Sequence, residues 1–120
     1  MKIAIAAQGD NPGAPVDIRF GRAPHFALFD QDNNSFEWAP NTQNLSLPQG
    51  AGIQAAKNVI ETGAGVLIAR NVGPKAFNLL TQSGVAMYIC EEGTPVSEAI
   101  GMYQRGELIK LEDANAEGHW

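Results

Sequence analysis

Gly65-Val66-Leu67-Ile68-Ala69-Arg70-Asn71-Val72-Gly73-Pro74-Lys75-Ala76-Phe77 is the stretch on which the fold turns. Val66 to Ala69 is an unbroken apolar run, the pattern of a strand covered on both faces in a parallel sheet. Gly73-Pro74 then opens a helix carrying Phe77 and Leu80, because proline at the first helical position gives up an N–H that has no partner there anyway. On the upstream side, Ile53, Ala56 and Ile60 step by three and four and predict a buried helix face that stops near Gly63 and Gly65. Downstream, Val85 to Cys90 repeats the buried-strand pattern. Thr94-Pro95 suits an N-cap and first-turn pair for a helix that buries Val96, Ala99, Ile100 and Tyr103. Helix, strand, helix, strand, helix is the alternation of an α/β sheet with right-handed crossovers.

The N-terminal part reads differently. Lys2 to Ala7 is a buried strand, broken by the turn-forming stretch Gln8 to Pro15. Phe26 to Asp30 and Ser35 to Ala39 flank Gln31-Asp32-Asn33-Asn34, whose Asn and Asp residues tolerate positive φ, so a hairpin is expected. Pro40 to Gln49 is polar and leads into Gly50-Ala51-Gly52. Residues 1–112 are expected to form one α/β domain, and residues 113–120 a polar, mobile tail.

At 120 residues, 44% hydrophobic and 18% charged, the chain has the balance of one globular domain with a packed core. Its net charge of -5 disfavours non-specific attraction to nucleic acid or to an anionic membrane surface. No apolar run reaches the roughly 18 to 20 residues that cross a bilayer. The N-terminus passes straight into a strand pattern without a secretory signal, so a cytoplasmic location is expected. Cys90 is the only cysteine, and neither CxxC nor HxxxH spacing occurs to build a closed metal cage.

In an α/β sheet the loops leaving the parallel strands gather along one edge, where helix N-termini turn their free N–H groups into the same crevice. Here those loops are Gln8 to Gly13, Arg70 to Pro74 and Glu91 to Pro95, with Gly50-Ala51-Gly52 as a further glycine-rich helix start. Three of the four arginines, Arg19, Arg22 and Arg70, fall in or beside them in an acidic protein. That distribution suits an anion site, while Arg19 and Arg22 could equally be surface residues of a solvated loop. Gly50 to Ala55 has the letters GxGxxA of a dinucleotide fingerprint, but a polar loop stands where its strand should end. No Walker A lysine is present. His25, His119, Asp10, Asp17 and Asp30 do not assemble into a nucleophile–base pair or a carboxylate set by spacing, so no catalytic residue is assigned. Cys90, at a strand end, reads as a small core residue unless it reaches the crevice edge.

Arg19-Phe20-Gly21-Arg22-Ala23-Pro24-His25-Phe26 resembles the nitrogenase iron-molybdenum cofactor biosynthesis family, small carriers related to NifX and to the C-terminal part of NifB. The resemblance continues through Gly50 to Ala56, Asn71 to Phe77, Leu80 to Val85, Glu98 to Ile100 and Gly106 to Leu108. It implies a ribonuclease H-like α/β fold with a mixed sheet of about five strands and a non-catalytic role in binding and handing over metal-sulfur clusters. The orange-protein branch, which the chain resembles most, carries a molybdenum-copper sulfide (Mo-Cu) cluster; an Fe-S or Fe-Mo precursor cluster is the alternative cargo, with donor or acceptor proteins as partners of a monomer.

Many relatives carry His at the position of Arg19 and a threonine-glycine pair at Arg70-Asn71. A guanidinium cannot ligate a metal, so the expected binding mode shifts from coordination toward charge pairing. On that reading Arg19, Arg22 and Arg70 supply charge. Amides near Asn11, Gly52 and Gly73 donate to sulfides, Phe20, Ile53 and Val72 exclude water, and Gly21, Gly50 and Asn71 complete the expected cofactor-binding set. An enzyme acting on a phosphorylated metabolite and a protein-interaction module remain the rival readings, since charge alone does not separate phosphate from a thiometallate.

Overall fold

The computed structural model describes residues 1–41 and 51–115. These form a six-stranded sheet in the order β3-β2-β1-β4-β5-β6. The strands are β1 (Lys2–Ala7), β2 (His25–Asp30), β3 (Ser35–Pro40), β4 (Val66–Ala69), β5 (Ala86–Ile89) and β6 (Ile109–Lys110). The α-helices are α1 (Ala51–Glu61), α2 (Pro74–Gln82) and α3 (Val96–Gln104). β1, β4 and β5 run parallel, whereas β2, β3 and β6 pair antiparallel to their neighbours. The sheet is thus mixed, as expected, and its arrangement is compatible with the ribonuclease H-like description.

β1 lies at the centre and shows how sequence selects the two faces. Ala4 and Ala6 point to one side with Leu67, Ala69, Ala55, Ala56, Ala76 and Leu80, where α1 and α2 pack. Ile3, Ile5 and Ala7 point to the other with Ile68, Val96, Ala99 and Ile100, where α3 packs. The alanines let two helices approach the sheet closely, and Phe20 and Phe26 fill the volume they leave, with ring centroids 5.5 Å apart. Each fully buried Ile or Leu stabilises the fold by about 1.5–3 kcal/mol relative to exposure.

The hairpin forms as expected. Asn34 takes φ 53°, and Asp30 Oδ1 accepts from the Asp32 N–H at 2.9 Å. Other details differ from the sequence reading. In α1 the buried positions are Ala51, Ala55, Ala56 and Val59, whereas Ile53 and Ile60 are only half-buried. The helix turns its small residues to the sheet to permit close packing, which leaves the larger isoleucines at the margin. α3 begins one residue later than expected, with Pro95 as N-cap. β6 adds a sixth strand whose two residues are both exposed, so it leaves no hydrophobic periodicity in the sequence.

Candidate functional site

The parallel strands β1, β4 and β5 end at Ala7, Ala69 and Ile89 on one edge of the sheet. The segments that follow are tied together there. The Gln8 N–H donates to Pro15 O and the Val16 N–H to Thr94 O, both at 2.9 Å. Pro12 O and Ala14 O accept from the Ser97 and Val96 N–H groups at 3.0 and 2.9 Å, so donors that open α3 are already used. Glu98 adds a negative charge in that first turn. The α3 end of the crevice is therefore poor for an anion. Asn11 serves this end. Its carbonyl accepts from Ala14 N–H and its Oδ1 from Gly13 N–H, which engages the amides expected to face a ligand.

The opposite end is built by α1, α2 and a short 3-10 turn, Phe20–Arg22. Arg19 forms an isolated parallel bridge with Asn71, and the Phe20 N–H donates to Asn71 O at 3.3 Å. The turn packs on α1, and α1 packs on α2. A Cβ placed on Gly52 would stand 3.7 Å from Ala76 Cβ, an ordinary contact, so no clash forces glycine there. The structure thus brings Arg19, Phe20, Gly21, Arg22, Gly52, Ile53, Asn71, Val72 and Gly73 to one end of the crevice. Gly50 lies outside the described residues.

Their roles divide by exposure. Phe20 at 0%, Val72 at 2% and the buried Gly21 form the floor, so Phe20 supports the site from within the core rather than lining it as the sequence suggested. Arg19 is exposed, and its N–H donates to Oδ1 of the buried Asp17 at 2.9 Å. Arg22 and Ile53 are half-buried. Neither α1 nor α2 has an acidic residue in its first turn, and Gly73 caps α2 without a side-chain hydrogen bond. This end retains the positive pole of two helices. Lys75, exposed in the first turn of α2, is a cation that the sequence places within a helix and leaves out of the expected site. The Gly73-Pro74-Lys75 order, which puts lysine at the second helical position, was the available signal.

Arg70 reaches away from this group. Its Nε lies 3.4 Å from Glu91 Oε2, with the Arg70 side chain 33% exposed and that of Glu91 80%. Cys90 is 1% exposed, and burial pushes its thiol above the usual value despite a hydrogen bond with the Thr94 side chain. It belongs to the core and offers no soft thiolate to the crevice. Among the described residues no three His, Cys, Asp or Glu side chains gather to hold a metal ion. His25, opposite Ala7 and Pro40 in the sheet, has a buried Nδ1 without a hydrogen-bond partner among the described residues. A separate cleft of about 290 Å³ is lined by residues including Phe77, Met87, Lys110 and Glu112 near β6, where an adjacent cation and anion offset each other.

Asn41 is a supporting residue that spacing did not disclose. It is 0% exposed, its N–H donates to Pro24 O and its Nδ2 to Ala23 O, each at 2.9 Å. Asn58 Nδ2 donates to Asn41 Oδ1, and Gln54 Nε2 to Asn58 Oδ1 at 3.1 Å. This relay fixes the end of the arginine-bearing turn to α1.

Residues 1–106 match the family described as dinitrogenase iron-molybdenum cofactor. The chain is 28% identical over 115 residues to an uncharacterised protein of Methanocaldococcus jannaschii, covering 93% of this chain and 92% of that one. Its structure superposes on the apo form of the orange protein of Desulfovibrio gigas with a TM-score of 0.92, at 36% identity and 96% coverage of each chain. A Thermotoga protein described as a putative NifB protein of the DUF35 family aligns with a TM-score of 0.83, at 33% identity and 98% coverage of each.

Proposed function

The chain belongs to the dinitrogenase iron-molybdenum cofactor family, and from that membership and the crevice chemistry we propose that it binds and carries an anionic metal-sulfur cluster without catalysing a reaction. The single observation that carries the reading is that the arginine-bearing turn bridges Asn71 and packs on α1, beside helices α1 and α2 whose first turns hold no acid. Guanidinium groups and helix N-terminal amides recognise a polyanion whose metals are already saturated by sulfide. The buried floor of Phe20 and Val72 lowers the local dielectric and strengthens those contacts.

The cargo is a molybdenum-copper sulfide cluster, supported by the likeness to the orange protein. An Fe-S or Fe-Mo precursor would use the same charge pattern. Arg19 and Arg22 supply charge, the amides of Gly52 and Gly73 donate to sulfides, and Arg70 joins them when it leaves Glu91. The carrier works in the cytoplasm as a monomer and exchanges its cargo with a donor and an acceptor protein.

The test is a titration of the purified protein with tetrathiomolybdate, followed by a copper(I) donor, with visible absorption recorded throughout. A new, saturable band that persists in excess inorganic phosphate supports the carrier. Loss of the band to phosphate, together with turnover in a screen of phosphate esters, would replace the carrier by an enzyme.

A further inference from the structure

The segment after β6 returns to the crevice, and one residue of it grips the loop between β4 and α2. Asn115 Nδ2 donates to Arg70 O at 2.9 Å, and the Val72 N–H donates to Asn115 Oδ1 at 2.8 Å. The Asn115 N–H also donates to Val72 O at 3.2 Å. Arg70 O and Val72 N–H flank Asn71 on one edge of the loop, as they would in an extended strand. The side-chain amide of Asn115 therefore does there what a peptide group of a neighbouring strand would do.

The other edge is held by the Arg19–Asn71 bridge and the Phe20 N–H bond to Asn71 O. The loop is gripped from both sides, with Arg19 against one edge and Asn115 against the other. Its backbone hydrogen bonds run along these edges, and the Arg70 side chain reaches Glu91. The backbone segments that carry Arg19 and Arg70 are thereby fixed relative to each other before any ligand arrives.

We propose that Asn115 is a positioning residue for the anion crevice: it presets the backbone of the Arg70–Gly73 loop so that an anionic ligand meets Arg19 and the start of α2 already in register, with Arg70 anchored beside them to swing in from Glu91. This rests on the carrier reading above. Preorganisation raises affinity by removing an ordering cost from the binding step. It also removes the Val72 amide from the donors that a ligand could use.

Asn115→Ala is expected to lower the affinity for tetrathiomolybdate about five- to tenfold, the order of one or two net hydrogen bonds. The slope of affinity against salt should stay the same, because no charge is lost. In an Arg70→Ala background the Asn115→Ala effect should shrink, since residues acting through one loop are coupled. Asn115→Asp, which keeps the acceptor for Val72 N–H and loses the donor to Arg70 O, should bind no better than Asn115→Ala. Amide hydrogen exchange of Val72 reports the grip directly, slow in the parent protein and fast in Asn115→Ala. Exposure of that amide with unchanged affinity, or equal effects in the two Arg70 backgrounds, overturns the positioning role alone. A parent protein that retains no tetrathiomolybdate overturns the carrier reading and the role together.

Discussion

Glu91 is the residue whose removal should improve the protein. Its carboxylate stands 3.4 Å from Arg70 Nε and is 80% exposed, so the pair is a surface ion pair worth about 0.2–1 kcal/mol to folding. Glu91→Gln should accordingly move the melting temperature by no more than about 4 °C. Its effect on binding is larger. A unit charge roughly 7 Å from a dianion in a water-like dielectric contributes ~1 kcal/mol, or about fivefold in affinity at low salt. Glu91→Gln removes that repulsion and frees Arg70, so tetrathiomolybdate should bind about fivefold tighter. Arg70→Ala should weaken it by a similar factor. Equilibrium dialysis at low and high salt measures both, with the two effects converging as salt screens them. Weaker binding by Glu91→Gln, or tighter binding by Arg70→Ala, would refute the electrostatic account of the crevice.

Four further outcomes follow from burial and hydrogen bonding. Phe20→Ala should cost about 3–5 kcal/mol in urea unfolding, because the ring is fully buried against Phe26; a cost below 1 kcal/mol would return Phe20 to the ligand surface. Asn41→Ala should cost about 1–3 kcal/mol by removing the hydrogen bonds that the buried Asn41 side chain makes to the Ala23 carbonyl and to Asn58, measured the same way. Cys90 should resist thiol reagents in the folded protein at neutral pH and react fully in denaturant, since burial both shields it and raises its pKa, which depletes the thiolate. Asp30 is held below the ordinary aspartate value, chiefly by the Asp32 backbone N–H. A depressed folded value gives stability that is present above the unfolded pKa and lost as pH falls through the folded one, so Asp30→Ala should flatten the acid side of the stability profile.

The layered fold was legible because its central strands are apolar on both faces and its helices begin at Gly-Pro and Thr-Pro. What escaped the reading had no periodic or compositional mark. β6 is two exposed residues, and α1 seats alanines rather than isoleucines because close packing outranks side-chain size at the sheet. The site divided along the same line. Arg19, Asn71 and Gly73 could be gathered from loop positions in an α/β order, whereas the separation of Asn11 depended on which helix N-terminus donates its N–H groups to loop carbonyls. Likewise, no spacing rule pairs Asn41 with α1 or Asn115 with Arg70, since those contacts span 17 and 45 residues. Long-range polar contacts of this kind are fixed by tertiary geometry alone.

Cargo binding is read from metal stoichiometry. The protein is incubated with tetrathiomolybdate and a copper salt, desalted, and analysed for molybdenum, copper, iron and protein. Molybdenum and copper should co-elute with the protein in a fixed ratio to it, with a proportionate loss of both in the Arg19→Ala, Arg70→Ala double variant. Protein that emerges free of metal, or metal retained equally by the double variant, would contradict cargo binding in the crevice.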